Sequence, residues 1–311
     1  MIAMFHRPKP LVQEGVRPRI RPGIDWRFIL TQGPVLTVFV LHCVWILPAV
    51  VQSEFWFSDA RLYFRATTAW LDGGNPWATS IHGLSFAGPP PTLLLNLPLI
   101  PFGEDVAWAF WPAAGILGIV SVLRRLRLPL WWILFPPIVE GLIAGSPDYV
   151  LAGLALGRLA WIPALTKPYS APAILAERGW RPVLIAGMLL VLTFAFLPWG
   201  LFVESLPLVA DTLMRHTDHL SAWGNPFGMV LVSGALLILG RRLGLGLAVP
   251  ALWPNAQLHY AVFSMYAASR SPVLAIGLSL PIQGAAPASI IVFAGWTVIA
   301  RYRARSNPGG R

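Results

Sequence analysis

The sequence has 311 residues, of which 56% are hydrophobic and only 12% are charged, and its mean hydropathy is +0.64. Soluble domains carry about 25% charged residues, so this composition excludes an ordinary soluble fold and predicts a chain that lies mostly in lipid. The net charge of +10 could indicate a nucleic-acid partner. However, the arginines cluster beside apolar runs, which is typical of the cytoplasmic flanks of membrane spans. We therefore predict contact with anionic membrane lipids and no nucleic-acid partner.

The N-terminal region predicts the orientation of the first span. Residues 1–27 form a basic cytoplasmic tail, and residues 28–51 form an apolar run. Because positive charge stays on the cytoplasmic side, the chain is expected to emerge outside the membrane at residue 52. The run is too long for a secretory signal and lacks a cleavage-like end, so it is predicted to be a retained anchor. The single cysteine, Cys43, excludes an internal disulfide and a cysteine-type zinc site.

Residues 52–90 form the longest polar interval and are predicted to be an outer loop. Within this interval, apolar side chains between Leu62 and Trp70 recur at helical spacing, and Gly73 and Gly74 follow them. This pattern predicts an amphipathic helix on the outer membrane surface. The three prolines at 89–91 are expected to begin the next span.

Apolar runs continue from residue 91 to residue 303. We predict an all-α polytopic membrane protein, with about eight to ten transmembrane helices in a single domain at 28–303. The runs after residue 243 are short and are interrupted at Pro254, Pro272 and Pro281, which predicts half-helices or re-entrant segments. Residues 304–311 form a basic C-terminal tail.

Ionisable residues at membrane depth or at its edge are candidates for chemistry because they are costly there. Asp59 is the most notable, since it follows the first span closely and opens the amphipathic helix. Two interpretations stay open. Asp59 could be the N-cap that accepts backbone N–H bonds, or it could be a fixed, ionised carboxylate that acts as a general base. The other acids that are neither in the tail nor at span ends are Glu54, Asp72, Glu140, Asp148 and Asp218.

Other polar residues have both a structural and a functional interpretation. His259 is a structural histidine, or it contacts a phosphate or donates a hydrogen bond. Lys167 ends an apolar run, where its ammonium either extends to the membrane interface or contacts an anion. His216, Asp218 and His219 resemble metal ligands, but no partner cluster accompanies them, so no metal site is predicted.

Several segments resemble a known family. FSDARLYFRATTAWLDGGNPW resembles the first outer loop of GT-C glycosyltransferases, in particular family 87, the polyprenyl-phosphate-sugar-dependent mannosyltransferase type. The family's acid, aromatic residue and Gly-x-x-Pro-aromatic turn correspond to Asp59, Tyr63 and residues 73–77. The segments FAGPPPTLLLNLPLIPFG, GSPDYVL, ALTKPY and LWPNAQLHYAVF resemble later family motifs in the family's order. Asp148 stands where the family has asparagine, and Trp253 stands where it has serine.

The resemblance implies a GT-C-like bundle in the bacterial inner (plasma) membrane, crossing it several times. It also implies inverting transfer of a sugar, mannose by family default, from a polyprenyl-phosphate donor to a hydroxyl on a glycolipid, polysaccharide or protein at the outer face. Asp59 would be the catalytic general base, and Lys167 and His259 would contact the donor phosphate. Guanidinium groups on the same loop would also suit that phosphate. No cofactor and no metal are implied. The implied substrate-binding residues are Arg61, Tyr63, Arg65, Lys167, His259 and Tyr260.

Two other classes of function compete with this one. The first is a non-catalytic protein, either a carrier of lipid-linked saccharides or a degenerate GT-C relative that supports a partner. Carriers often contain internal repeats, and the sequence shows none. The second is a structural scaffold, which does not explain why Asp59, Arg61, Arg65 and Asp72 are concentrated in one outer loop.

Overall fold

The computed structural model describes residues 26–52, 56–215, 220–254 and 256–306. Some predicted features lie outside the described residues. They are the N-terminal tail up to residue 25, Glu54, the metal candidates His216, Asp218 and His219, and residues 307–311 of the C-terminal tail.

The described chain is all-α except for one short hairpin, in which β1 (Ser80–Ile81) pairs with the antiparallel β2 (Leu84–Ser85). The α-helices are α1 (Trp26–Gln52), α2 (Ser58–Leu71), α3 (Glu104–Leu126), α4 (Pro136–Ala144), α5 (Asp148–Ala155), α6 (Trp161–Thr166), α7 (Ala171–Arg178), α8 (Trp180–Thr193), α9 (Trp199–Arg215), α10 (Pro226–Leu252), α11 (Met265–Ala268), α12 (Pro272–Gly277) and α13 (Ala285–Ser306). Short 3-10 helices lie at Pro76–Ala78, Pro90–Leu95, Leu97–Phe102, Leu130–Leu134, Pro168–Ser170 and Leu258–Ser264.

Three of the described helices, α3, α10 and α13, are long and apolar enough to cross a membrane by length and composition, and of these α10 is broken at Gly240. α1, a helix of 27 residues, covers the predicted first span. These helices support a membrane protein. They are fewer than the eight to ten predicted spans, because other apolar runs are divided into short pieces. The run at 128–146, for example, contains a 3-10 helix and then α4, which begins at Pro136 and ends at Gly145.

The span expected to begin at the prolines at 89–91 is not a continuous helix. Two 3-10 helices, Pro90–Leu95 and Leu97–Phe102, occupy that stretch, and α3 begins only at Glu104. Proline has no backbone N–H and blocks the α-helical hydrogen-bond ladder. Pro98 and Pro101 continue the interruption, so the apolar character of this run reflects packing within the protein.

The predicted amphipathic helix is confirmed as α2, and Asp72 and Gly73, with φ 78°, end it. Its apolar face lies against the rest of the chain and is not left for the membrane surface. Leu62 and Ala66 belong to a buried cluster that also contains Leu93. The apolar face of α2 is therefore packed inside the protein, and Asp59 lies in the first turn of the same helix.

Close backbone contacts fix the start of α5 against α3 and α4. α3 and α5 cross where Gly118 meets Tyr149 and Gly153, and a Cβ on Gly118 would lie 2.3 Å from the Tyr149 carbonyl oxygen. Small residues allow membrane helices to approach this closely. The Tyr149 hydroxyl donates a 2.5 Å hydrogen bond to the Pro137 carbonyl, and Gly141 leaves space for it. These contacts join α3, α4 and α5 at the position of Asp148.

α10 folds back on itself at Gly240, whose φ 78° and ψ 176° are not helical. A straight helix of its 27 residues would be about 40 Å long. However, the Ala222 N–H donates to the Ala251 carbonyl, and a Cβ on Gly244 would lie 2.4 Å from the Leu236 carbonyl oxygen. The two halves are therefore antiparallel segments of about 20 Å each. This fold-back agrees with the half-helices predicted for this region, and α10 ends at Leu252 and α12 begins at Pro272 as the prolines indicated.

The molecule has two chemically different ends. α3 begins at Glu104, which pairs with Arg65 of α2, and it ends about 33 Å away at the basic stretch 124–127. We call the first the site end, because α2, which carries Asp59, packs against it. We call the second the basic end. The basic end includes Glu177 and Tyr266, which line one small cavity with Leu126.

Candidate functional site

A buried carboxylate forms the floor of a polar cluster at the site end. Asp148, the first residue of α5, is completely shielded from solvent. Its Oδ2 accepts a 2.5 Å hydrogen bond from the Tyr169 hydroxyl and lies 3.5 Å from Nε2 of His259. Its Oδ1 lies 3.3 Å from the Lys167 ammonium nitrogen. Three groups from two other segments of the chain thus converge on one carboxylate, as a charge in a low-dielectric setting requires.

The cluster continues from Lys167 to α2. The Lys167 ammonium donates a hydrogen bond to the Tyr63 hydroxyl and lies 4.6 Å from the centre of the Tyr63 ring. Asp59 is four residues before Tyr63 and therefore lies on the same face of the helix. Its carboxyl is close enough to His259, Lys167 and Asp148 for their charges to act on its pKa. Asp59 is half-buried, whereas Asp148 has no solvent exposure.

The protonation of the cluster follows from burial and charge. Burial raises the pKa of Asp59, and the positive charges of His259 and Lys167 oppose that rise. Burial disfavours the Lys167 ammonium, but attraction by Asp148 and the hydrogen bond to Tyr63 outweigh it, so the pKa of Lys167 is raised. Burial raises the pKa of Tyr63 to about 12. At neutral pH Lys167 is therefore charged, and Tyr63 keeps its proton.

Side-chain to backbone hydrogen bonds hold the segments of the cluster in register. Thr67 of α2 donates from Oγ1 to the Leu93 carbonyl over 3.1 Å, and Thr92 donates to the Thr166 carbonyl over 2.8 Å. The second bond fixes the residue that precedes Lys167. All of these threonine side chains are buried, and buried polar groups favour such pairing because an unpaired one is costly.

Aromatic rings form the remaining wall. Tyr169 and Tyr260 stack with ring centres 4.1 Å apart and an interplanar angle of 19°, and the His259 ring lies edge-on to Tyr260. The His259 side chain retains 17% exposure, whereas Asp148 has none. The cluster therefore has a closed floor at Asp148 and an accessible mouth at Asp59 and His259.

The structure brings together five of the seven residues proposed from sequence. They are Asp59, Tyr63, Lys167, His259 and Tyr260. The other two, Arg61 and Arg65, point to a different face of α2, because a helix turns about 100° per residue. Glu104 accepts a salt bridge from Arg65 at 2.9 Å, and Arg61 lies 3.9 Å from the same carboxylate. Their predicted contact with a phosphate in the cluster does not follow from this arrangement.

The N-cap interpretation of Asp59 is wrong. Phe57 occupies the N-cap position of α2 in a left-handed conformation, and no side chain caps the helix. Asp59 instead lies in the first turn, where the helix dipole favours a negative charge. Its carboxylate is therefore not committed to a backbone cap.

Two residues of the cluster, Asp148 and Tyr169, are not among the site residues predicted from sequence. In the sequence, Asp148 is only an acid in an apolar setting and a departure from the family's asparagine. That departure is the available signal, because a buried acid needs a cationic partner and Lys167 is already a candidate. Tyr169 follows Lys167 by two residues, and no feature of the sequence marks it as a site residue.

The described ranges contain no group of three or more His, Cys, Asp or Glu side chains that could hold a metal ion. The chain matches no protein-family model, no curated protein and no solved structure.

Proposed function

We propose that this protein is a membrane glycosyltransferase of the GT-C type, with about eight to ten spans in the plasma membrane. It would transfer a sugar, most simply mannose, from a polyprenyl-phosphate donor to a hydroxyl acceptor. The observation that supports this proposal is the convergence of the half-buried Asp59 with Lys167 and His259, which lie at least 100 and 200 residues from it in sequence.

The cluster contains the groups that a single displacement requires. The acceptor oxygen attacks the anomeric carbon of the sugar, and the bond from that carbon to the phosphate oxygen breaks. Asp59 takes the hydroxyl proton, and polyprenyl phosphate leaves with the bonding electron pair. The raised pKa of Asp59 suits a general base, which is most effective when its pKa is near the working pH.

The leaving phosphate would be stabilised by Lys167, His259 and Tyr63. Lys167 gives one N–H to Tyr63 and faces Asp148, and an ammonium has a third proton to donate. The Tyr63 oxygen accepts from Lys167 and keeps its own proton. Preorganised donors of this kind stabilise developing charge without rearrangement. Asp148 acts here as a positioning residue that holds Lys167 and His259 toward the mouth.

The test is an assay of purified protein in membranes with a polyprenyl-phosphate sugar and a lipid or saccharide acceptor. We expect release of polyprenyl phosphate from the unchanged protein. Asp59→Asn should lower the rate by about 10²–10⁴-fold, the range for a general base, while the variant still inserts. Asp72→Asn is the matched control, because Asp72 is exposed at the far end of α2.

The outcomes separate the proposal from its alternatives. Transfer that persists at full rate in Asp59→Asn would remove Asp59 as the base. Binding of the donor without any transfer, in both proteins, would favour the non-catalytic carrier. Adding a chelator tests the role of metals directly, because activity that depends on a metal would contradict a mechanism in which side chains alone stabilise the phosphate.

A further inference from the structure

A second feature lies near the basic end, away from the polar cluster. A groove of about 400 Å³ opens between α12 and α13, and Arg270 lies at its edge. Its apolar walls are exposed. Val273 has 42% of its surface accessible, Val292 has 58%, and Trp296 has 70%. The groove is large enough for part of a small ligand, since ligand sites measure about 300–1,000 Å³.

Arg270 is held in place but is not neutralised. Its Nη2 donates a 2.7 Å hydrogen bond to the Tyr266 hydroxyl, and its guanidinium carbon lies 4.5 Å from the centre of that ring. Among the described residues it has no carboxylate partner within salt-bridge distance. Arg242 stacks on the same ring at 4.0 Å, but it forms a 2.7 Å salt bridge with Glu177. Arg270 thus keeps most of its five N–H donors for an outside anion.

The groove lies at the depth expected for lipid head groups. Five residues after Trp296, or about 7.5 Å along α13, Arg301 donates to the Ile238 carbonyl near the Gly240 turn. Arg303 and Arg305 continue the basic stretch. Positive charge beside apolar helices marks the cytoplasmic face, where the leaflet is anionic. Arg270 is therefore near the phosphate layer, while Val292 lies deeper along α13.

We propose that the groove between α12 and α13 binds one anionic phospholipid, with its phosphate on Arg270 and an acyl chain along Val292 and Trp296. A guanidinium contacts phosphate through two parallel hydrogen bonds. The contact with Tyr266 already restricts the Arg270 side chain, so less conformational entropy is lost when the lipid binds. The acyl chain of the lipid covers the exposed apolar wall of the groove. A free phosphate or a soluble anion has no such chain and would leave the wall uncovered.

The test is native mass spectrometry of the full chain in detergent, titrated with phosphatidylglycerol or phosphatidylcholine. We expect one phosphatidylglycerol molecule to bind before any phosphatidylcholine. Arg270→Gln should weaken that binding about fivefold, since one arginine near an anionic head group contributes about 1 kcal/mol. Arg303→Gln is the matched control, because Arg303 is exposed and does not line the groove.

Two further measurements define the ligand. Val292→Trp fills the groove from a lipid-facing position and leaves Arg270 unchanged, so it should also weaken phosphatidylglycerol binding.

Equal binding by Arg270→Gln and the unchanged protein would overturn the proposal. So would an equal loss in Arg303→Gln, which would indicate diffuse charge attraction. Displacement of the lipid by millimolar inorganic phosphate would show a free-anion site and would likewise overturn it.

Discussion

The site end and the basic end of this protein differ in how deeply their charged side chains are buried. At the site end, Asp148 and Lys167 are buried, pair with each other, and contact Tyr169 and Tyr63. At the basic end, guanidinium groups such as Arg242 and Arg270 remain largely exposed and lie on the ring of Tyr266. The difference shows that buried charges here are fixed by geometry, whereas exposed charges remain available to lipid and water. Substitutions should therefore have very different effects at the two ends.

The largest expected effect is the loss of Asp148. Asp148→Ala leaves the Lys167 ammonium buried without its carboxylate, and breaking a buried pair in this way costs about 3–5 kcal/mol. Unfolding of the purified protein by detergent denaturation would measure this change. Asp72→Ala is the control, since Asp72 is exposed at the end of α2. Equal stability of the two variants would show that the buried pair is not a structural element.

A backbone contact at the same end should give the next largest effect. A Cβ on Gly141 would lie 2.0 Å from the Tyr149 hydroxyl oxygen, so Gly141→Ala forces the α4–α5 contact apart and should cost about 1–3 kcal/mol. A Cβ on Gly187 of α8 would meet no other atom within 4 Å. Gly187→Ala should therefore be neutral or stabilising, by up to about 1 kcal/mol. A similar loss in both variants, measured by thermal unfolding, would contradict this difference.

A smaller, pH-dependent effect is expected at Asp59. Its folded-state pKa is raised, so the folded state binds the proton more tightly than the unfolded chain does. Stability then falls as pH rises from the unfolded pKa, about 3.9, through the raised folded value. Asp59→Asn removes this loss, so its Tm at pH 8 should equal or exceed that of the unchanged protein, with a smaller difference at pH 4. A lower Tm at pH 8 would indicate that ionised Asp59 stabilises the fold.

The smallest effects are expected for exposed ion pairs at either end. The Arg65 side chain is 49% exposed in its pair with Glu104, and the Arg242 side chain is 55% exposed in its pair with Glu177. Arg65→Gln and Arg242→Gln should each cost no more than about 1 kcal/mol. Arg65→Gln should also leave sugar transfer unchanged. A large loss of transfer would indicate that Arg65 contacts the phosphate. It would contradict the assignment of Arg65 and Asp59 to different faces of α2.

The features that sequence predicts well depend on local chemistry. The helical spacing of apolar residues and the stop at Gly73 predict α2 within one or two residues, and Pro254 and Pro272 indicate the breaks in the late helices. The prolines at 89–91 do not begin a span as expected, because apolar composition does not distinguish lipid from protein surroundings. The local sequence pattern thus predicts where a helix ends better than it predicts whether lipid or protein surrounds that helix.

The site requires contacts that no local pattern contains. Asp59, Lys167 and His259 each stand out alone in the sequence, but the side chain that joins two of them, Asp148, lies on a different segment. Its partners depend on how α3 and α5 cross at Gly118. Arg65 is a site candidate in the sequence because it shares a loop with Asp59, and only the position of Glu104 directs it elsewhere. Three-dimensional packing therefore decides which of several suitable residues act together.

The turn at Gly240 sets the direction in which the chain continues after α10. With the fold-back, the two ends of α10 lie together, because the Ala222 N–H donates to the Ala251 carbonyl, and α13 begins beside them, since Pro250 and Ala286 line the same small cavity. A straightened helix of 27 residues would be about 40 Å long, and its two ends would then lie at opposite ends of the molecule. The backbone at Gly240 is accessible to glycine and strained for any other residue. One hydrogen atom in place of a side chain thus keeps the turn at the end of the molecule where Arg301 of α13 donates to the Ile238 carbonyl.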